Sequence, residues 1–156
     1  MKTGTKYLMV LLYAVLLSGC AGKNAILPVD SLTLAKAMAE KAADPEMLSE
    51  VPDKVLHKLL MLEEGMVTDA ALVMDASRAT TTQFVVLTAR DEKTAPKLEA
   101  MLKTYQTSVL EQYRDYVPGE VSRIEKALIK RQGLQTVFAI CDEPALAESV
   151  LKEHWE

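Results

Sequence analysis

Between Lys93 and Asp115 the apolar residues Leu98, Met101, Leu102, Tyr105, Val109 and Tyr113, together with Gln112, recur at spacings of three and four. Such a stripe runs down one side of a long amphipathic helix and must be buried against another element. Pro96 suits the first turn of this helix, where its missing N–H costs nothing. Tyr116-Val117-Pro118-Gly119 breaks it, and a short helix is predicted over 120–126 with Val121 and Ile124 inward.

The rest of the chain supplies the partner surface. Residues 70–74 (AALVM) and 83–88 (QFVVLT) read as strands, the second rich in β-branched residues. The unbroken apolar run 84–87 predicts a strand buried on both faces. Asp75 to Thr82 joins the two as a hairpin loop. Two further strands, 128–131 and 136–140, flank Gly133, which suits a tight turn needing positive φ. Ser31 is a reasonable N-cap for a helix from Leu32 to Ala43, with Leu34, Ala35, Met38 and Ala42 on one face, and Pro45 ends it. Pro52 and Asp53 open a second short helix bearing Val55, Leu56, Leu59, Leu60 and Met61, closed by Gly65. Asp142 is expected to cap a last helix with Leu146, Val150 and Leu151 on its buried side. The order α-α-β-β-α-(α)-β-β-α predicts an α+β domain: a mostly antiparallel four-stranded sheet with helices packed on one face.

The first twenty residues have a different character. Lys2 and Lys6 precede an apolar run, Tyr7 to Leu17, and then Leu17-Ser18-Gly19-Cys20. The run is shorter than the roughly 20 apolar residues a spanning helix needs, and suits the apolar segment of a signal peptide. The four residues ending at Cys20 resemble the lipobox of bacterial lipoproteins. That resemblance implies cleavage between Gly19 and Cys20 and a diacylglycerol on the Cys20 thiol. Two acyl chains hold a protein at a membrane where one does so only marginally. Ala21 follows, in place of the Asp that retains some lipoproteins at the inner membrane. The expected organisation is a signal peptide over 1–19, a lipidated Cys and tether over 20–30, and one domain over 31–156. The expected location is the extracytoplasmic face of the cell membrane.

Charge and cysteine content agree with export. Loss of Lys2 and Lys6 takes the formal charge from −4 to −6. An acidic domain is repelled by phosphate backbones, so nucleic acid is not an expected partner, and attachment to a membrane falls to the lipid on Cys20. The chain has two cysteines, Cys20 and Cys141. With Cys20 lipidated, Cys141 has no partner for an internal disulfide. At the end of an apolar strand it reads as a small core residue.

Chemistry-bearing residues are sparse. His57 and His154 are the only histidines, sit in no metal-ligand spacing and read as surface residues, so no metal or cofactor is expected. The adjacent carboxylates Glu63 and Glu64, Asp91 and Glu92, and Asp142 and Glu143 read as caps or solvated faces. No serine lies in a nucleophile-elbow context, and no Gly-rich phosphate loop occurs. Arg78, Thr80, Thr81 and Thr82 form a polar loop able to offer hydroxyls and a guanidinium to an anion. Tyr105, Tyr113 and Tyr116 can rim a contact surface.

The apolar hairpin at 70–88, the long helix ending in Tyr113-Arg114-Asp115-Tyr116-Val117-Pro118, the Gly133 hairpin and the lipobox together resemble the small bacterial lipoproteins of the domain of unknown function 4358 family. The resemblance spans about residues 47–151 and implies export, lipidation and an α+β domain, with no catalytic residues. The function expected from the whole reading is a non-enzymatic interaction module of the cell envelope that binds another envelope protein. The alternative is a small-ligand site at Arg78 to Thr82, and an envelope enzyme is a more distant third.

Overall fold

Asp30 starts the first helix. Its Oδ1 accepts the Thr33 N–H at 2.8 Å, satisfying one of the donors a helix N-terminus leaves free. The computed structural model describes residues 28–155, so the expected signal peptide, cleavage site and lipidation site lie outside the described residues. Helix α1 is Ser31–Ala42. Ser31, expected as the cap, is instead the first helical residue, fully buried, with its hydroxyl 3.3 Å from Thr88 Oγ1. Leu34, Ala35, Met38 and Ala42 face inward as predicted, and Ala39 joins them.

A short 3₁₀ turn, Pro45–Met47, leads to strand β1, Leu48–Glu50. Helix α2 (Asp53–Leu59) is followed by β2 (Val67–Asp75) and β3 (Gln83–Ala89). The long helix, α3, is Ala95–Arg114, with Pro96 in its first turn. Another 3₁₀ turn, Pro118–Glu120, precedes α4 (Val121–Glu125). Strands β4 (Leu128–Gln132) and β5 (Gln135–Ile140) form a hairpin around Gly133, at φ 56°. Helix α5, Pro144–Trp155, closes the described chain.

The sheet has five strands, not the expected four, in the order β1-β2-β3-β5-β4 with every neighbour antiparallel. The additional strand is β1. It pairs Leu48 with Asp75 and Glu50 with Val73 along one edge. Three residues, LSE, are too short to show alternation, so only the β2 partner makes them a strand.

Helices cover both faces of the sheet, which corrects the expectation of one. Every residue of β3 and of β5 is buried. A central strand with no polar side cannot leave a face to water, so both faces need a layer. Phe84, Val86, Val137 and Ala139 point toward α1 and α5. Val85, Leu87, Phe138 and Ile140 point toward α2, α3 and α4. On α3, Leu98, Leu102 and Val109 are buried, whereas Gln112 is exposed. On α5, Ala147, Val150, Leu151 and Trp155 are buried, and Leu146, expected inside, is 36% exposed.

The chain enters the domain at one end of this sheet. Gln135 Nε2 donates to the Val29 carbonyl at 2.6 Å, and Trp155 Nε1 donates to Gln135 Oε1 at 2.9 Å. Residues 29–31 are thereby fixed at the end where Thr88 pairs with Gln135. The opposite end, where Gln83 pairs with Met74 and Ile140, carries the β2–β3 loop. About 20 Å of strand separates the two ends, at roughly 3.3 Å per residue.

Candidate functional site

The loop from Asp75 to Thr82 is built around a carboxylate. Asp75, 2% exposed, accepts from Ser77 N–H at 2.8 Å and Ser77 Oγ at 2.5 Å through Oδ1. Its Oδ2 accepts from Thr80 N–H and Thr80 Oγ1, both at 3.0 Å. The Ser77 hydroxyl, assisted by the Thr80 donors and opposed by burial, holds the Asp75 carboxyl below its usual range. Arg78 sits at the tip with φ 59°, a left-handed conformation uncommon for a residue with a long side chain.

A second carboxylate clamps the loop from α4's side. Glu120 Oε2 accepts from Thr81 N–H at 2.8 Å and Thr81 Oγ1 at 2.7 Å. Arg123 donates to the same oxygen at 3.2 Å, to Thr82 Oγ1 at 3.4 Å, and to Asp142. Asp142, expected to cap the last helix, is thus engaged by Arg123. The hydroxyls of Thr80 and Thr81, and their N–H groups, are donated to the protein's own carboxylates. Those carboxylates stand where an external anion would sit, so the threonines serve the loop's shape. Arg78 differs from them: its guanidinium has no ion pair among the described residues.

Beside this loop, on the α2–α3 face of the sheet, lies a groove of about 330 Å³. Val51, Pro52, Val55 and Leu59 form one wall and Val109, Gln112 and Tyr113 the other, with Met74, Gln83 and Tyr105 between them. Arg78, Thr80 and Thr81 line it from the loop. The groove is concave, mainly apolar and supplied with a few polar groups, the usual composition of a small-molecule site. Tyr105 donates its hydroxyl to Gln83 Oε1 at 2.9 Å and packs edge-on to Phe138 at 5.7 Å between ring centroids. Burial pushes the Tyr105 phenol up to about 12, against the smaller opposing effects of the Gln83 hydrogen bond and the Arg78 charge.

The structure therefore brings Arg78, Tyr105 and Tyr113 together from distant parts of the sequence. It leaves Tyr116 apart and 90% exposed. Val51, Pro52, Val55 and Leu59 were not recognised as site residues in the sequence. The available signal was an excess of apolar positions: α2 and its end bury Leu56 and Leu60 but leave Val55, Leu59 and Met61 at 52%, 36% and 77% exposure.

The remaining chemistry-bearing residues lie elsewhere. His57 Nε2 is 3.4 Å from Asp53 Oδ1 within α2, and His154 is exposed on α5. Asp91 accepts from Thr94 N–H and Oγ1, both at 2.8 Å, and the Thr94 hydroxyl chiefly lowers its pKa. Glu63 and Glu64 are exposed. Cys141 is buried, and desolvation pushes its thiol up to about 11. Among the described residues, no group of three His, Cys, Asp or Glu side chains is placed to hold a metal ion. No described helix is long and apolar enough to cross a membrane.

Comparison with known families matches residues 41–141, from the end of α1 to the end of β5, to the domain of unknown function DUF4358. The chain belongs to this family. The matched span contains the loop and, among the described residues, every one that lines the groove. Neither the curated proteins nor the solved structures yielded a match.

Proposed function

We propose that this DUF4358 protein is an exported, lipid-anchored binding module of the cell envelope that holds a small apolar ligand in the groove between α2 and α3. The groove carries this reading. It offers about 330 Å³ against apolar walls, within the range of small-molecule sites. The proposed address rests on Lys2, Lys6, the apolar run and Leu17-Ser18-Gly19-Cys20. With lipid on Cys20, the tether enters at the Gln135 end of the sheet while the groove lies at the Gln83 end, so the ligand site would face away from the bilayer.

The proposed role is binding rather than catalysis. A general acid or base works best with a pKa near ambient pH, and the Tyr105 phenol stands near 12 with its proton committed to Gln83. The one carboxylate among the described residues that line the groove, Glu50, is paired with Lys36 at 3.2 Å.

Two measurements test this. Mass spectrometry of the protein from cells should find acyl chains on Cys20, and none on Cys20→Ser; acylated Cys20→Ser protein would refute the address. A neutral apolar probe such as 4-phenylbutanol should move the backbone amide resonances of Tyr105 and Val109, and Val109→Glu should abolish that response. Unmoved amides at saturating probe would refute the groove as a site.

A second reading, docking of an envelope protein, draws on the exposed Val55 and Leu59 of α2 and Met61 just past its end. Crosslinking in intact cells tests it. Loss of a specific crosslinked partner on Val55→Lys with Leu59→Lys supports docking on this surface, and an unchanged crosslinking pattern opposes it.

A further inference from the structure

The groove is apolar along its walls but carries one charge that the fold does not use. Of its lining residues, Arg78 is the one cation and Glu50 the one carboxylate. Lys36 neutralises Glu50 at 3.2 Å, whereas Arg78 has no ionic partner among the described residues. The neighbouring Thr80 and Thr81 donors are committed to Asp75 and Glu120, so these carboxylates fasten the loop and leave the guanidinium available. Arg78 also adopts a left-handed backbone, φ 59°, which the Asp75 hydrogen bonds on either side hold in place. An uncommon conformation persists where its surroundings over-determine it, and such positions cluster at ligand clamps. Here the result is a cation presented on a braced tip beside apolar walls.

We infer, on the reading that the groove is a ligand site, that its ligand is a small hydrophobic anion whose apolar body lies against Val55, Leu59 and Val109 and whose single anionic head pairs with Arg78. A guanidinium presents a planar fork of donors that matches a carboxylate or phosphate. A cationic ligand would meet the Arg78 charge with no unpaired carboxylate among the lining residues to offset it. The groove is open to solvent, and its volume of about 330 Å³ gives the scale of the part it holds, on the order of ten non-hydrogen atoms.

The test uses the full chain, kept free of lipid by Cys20→Ser. It is titrated with 4-phenylbutyrate and with the neutral 4-phenylbutanol, reading the amide resonances of Tyr105 and Val109. At pH 7 the acid binds about threefold more tightly than the alcohol, the scale of one ion pair to the exposed Arg78. Arg78→Asn, which accepts the left-handed backbone, removes the difference, and Arg78→Lys restores part of it. Equal affinity of acid and alcohol in the chain with Arg78 intact overturns the anionic assignment and leaves the groove standing as an apolar site. A preference for the acid that survives Arg78→Asn overturns the role of Arg78. If neither probe moves these amides, the groove reading and this inference fall together.

Discussion

Asp75→Asn isolates the carboxylate on which the groove's loop is built. In the native loop each Asp75 oxygen accepts one backbone N–H and one hydroxyl, from Ser77 at 2.8 and 2.5 Å and from Thr80 at 3.0 and 3.0 Å. The amide of Asn offers one oxygen and one NH₂ in their place. The oxygen keeps two of the four bonds. On the other side, a hydroxyl can rotate to accept from the new NH₂, but a backbone N–H cannot. One N–H, of the exposed Ser77 or the half-buried Thr80, is therefore left facing a donor, at about 1 kcal/mol, and the surviving bonds lose their charge-assisted part. Asp75 is 2% exposed, but its Ser77 and Thr80 donors are exposed and half-buried, so water takes over part of the loss. The expected loss is about 2 kcal/mol of unfolding free energy, measured by urea denaturation with an unchanged m-value. Hydrogen exchange at the Thr80 and Thr81 amides should accelerate more than exchange in the middle of β3. A loss below about 1 kcal/mol would refute the reasoning, because the four bonds would then be interchangeable with water. Uniform acceleration of exchange across the sheet would show that the loop is not a separately braced unit.

Three further outcomes follow from the same structure. Leu102→Ala removes a fully buried side chain between α3 and the sheet and should cost about 2–5 kcal/mol in denaturant unfolding. Thr136→Val should be neutral or stabilising by about 1 kcal/mol, read as a higher Tm, because the Thr136 hydroxyl is buried without a hydrogen-bond partner among the described residues. The third concerns pH: Asp75 and Asp91 have folded-state pKa values below the usual 3.8, so their ionised forms favour the fold. That contribution is complete above the unfolded-state value and is lost as pH falls through the lower folded one. Unfolding free energy should decline below about pH 4, and less steeply in Asp75→Asn, as acid titration followed by circular dichroism would show.

How much of this was legible in sequence depended on how local each signal was. Helix α3 was readable because twenty residues repeat one period, and the observed Ala95–Arg114 falls inside the predicted 93–115. The β4–β5 hairpin was readable because Gly133 marks a turn with positive φ. Strand β1 was not, since Leu48–Glu50 is extended only because β2 lies beside it. The second helical layer was implied by the run at 84–87, which needs cover on both sides, yet the element order alone suggested one face. Arg78 stood out as a lone cation in a polar loop. Its threonine neighbours looked like companions in anion binding, and only the distant Glu120 reveals what their donors hold.

Local pattern in this chain thus specifies most of its pieces: where helices and strands run, which residues are apolar enough to be buried, and where turns must fall. Those properties follow from side-chain chemistry and backbone geometry within a few residues. The groove is different in kind. Val51, Val55 and Leu59 line one groove with Val109 and Tyr113, fifty or more residues away in sequence, and with Met74 and Gln83. Whether an apolar side chain fills a core or lines an open groove depends on how two helices are spaced across a sheet face. That spacing arises from packing between distant segments, which no local pattern records.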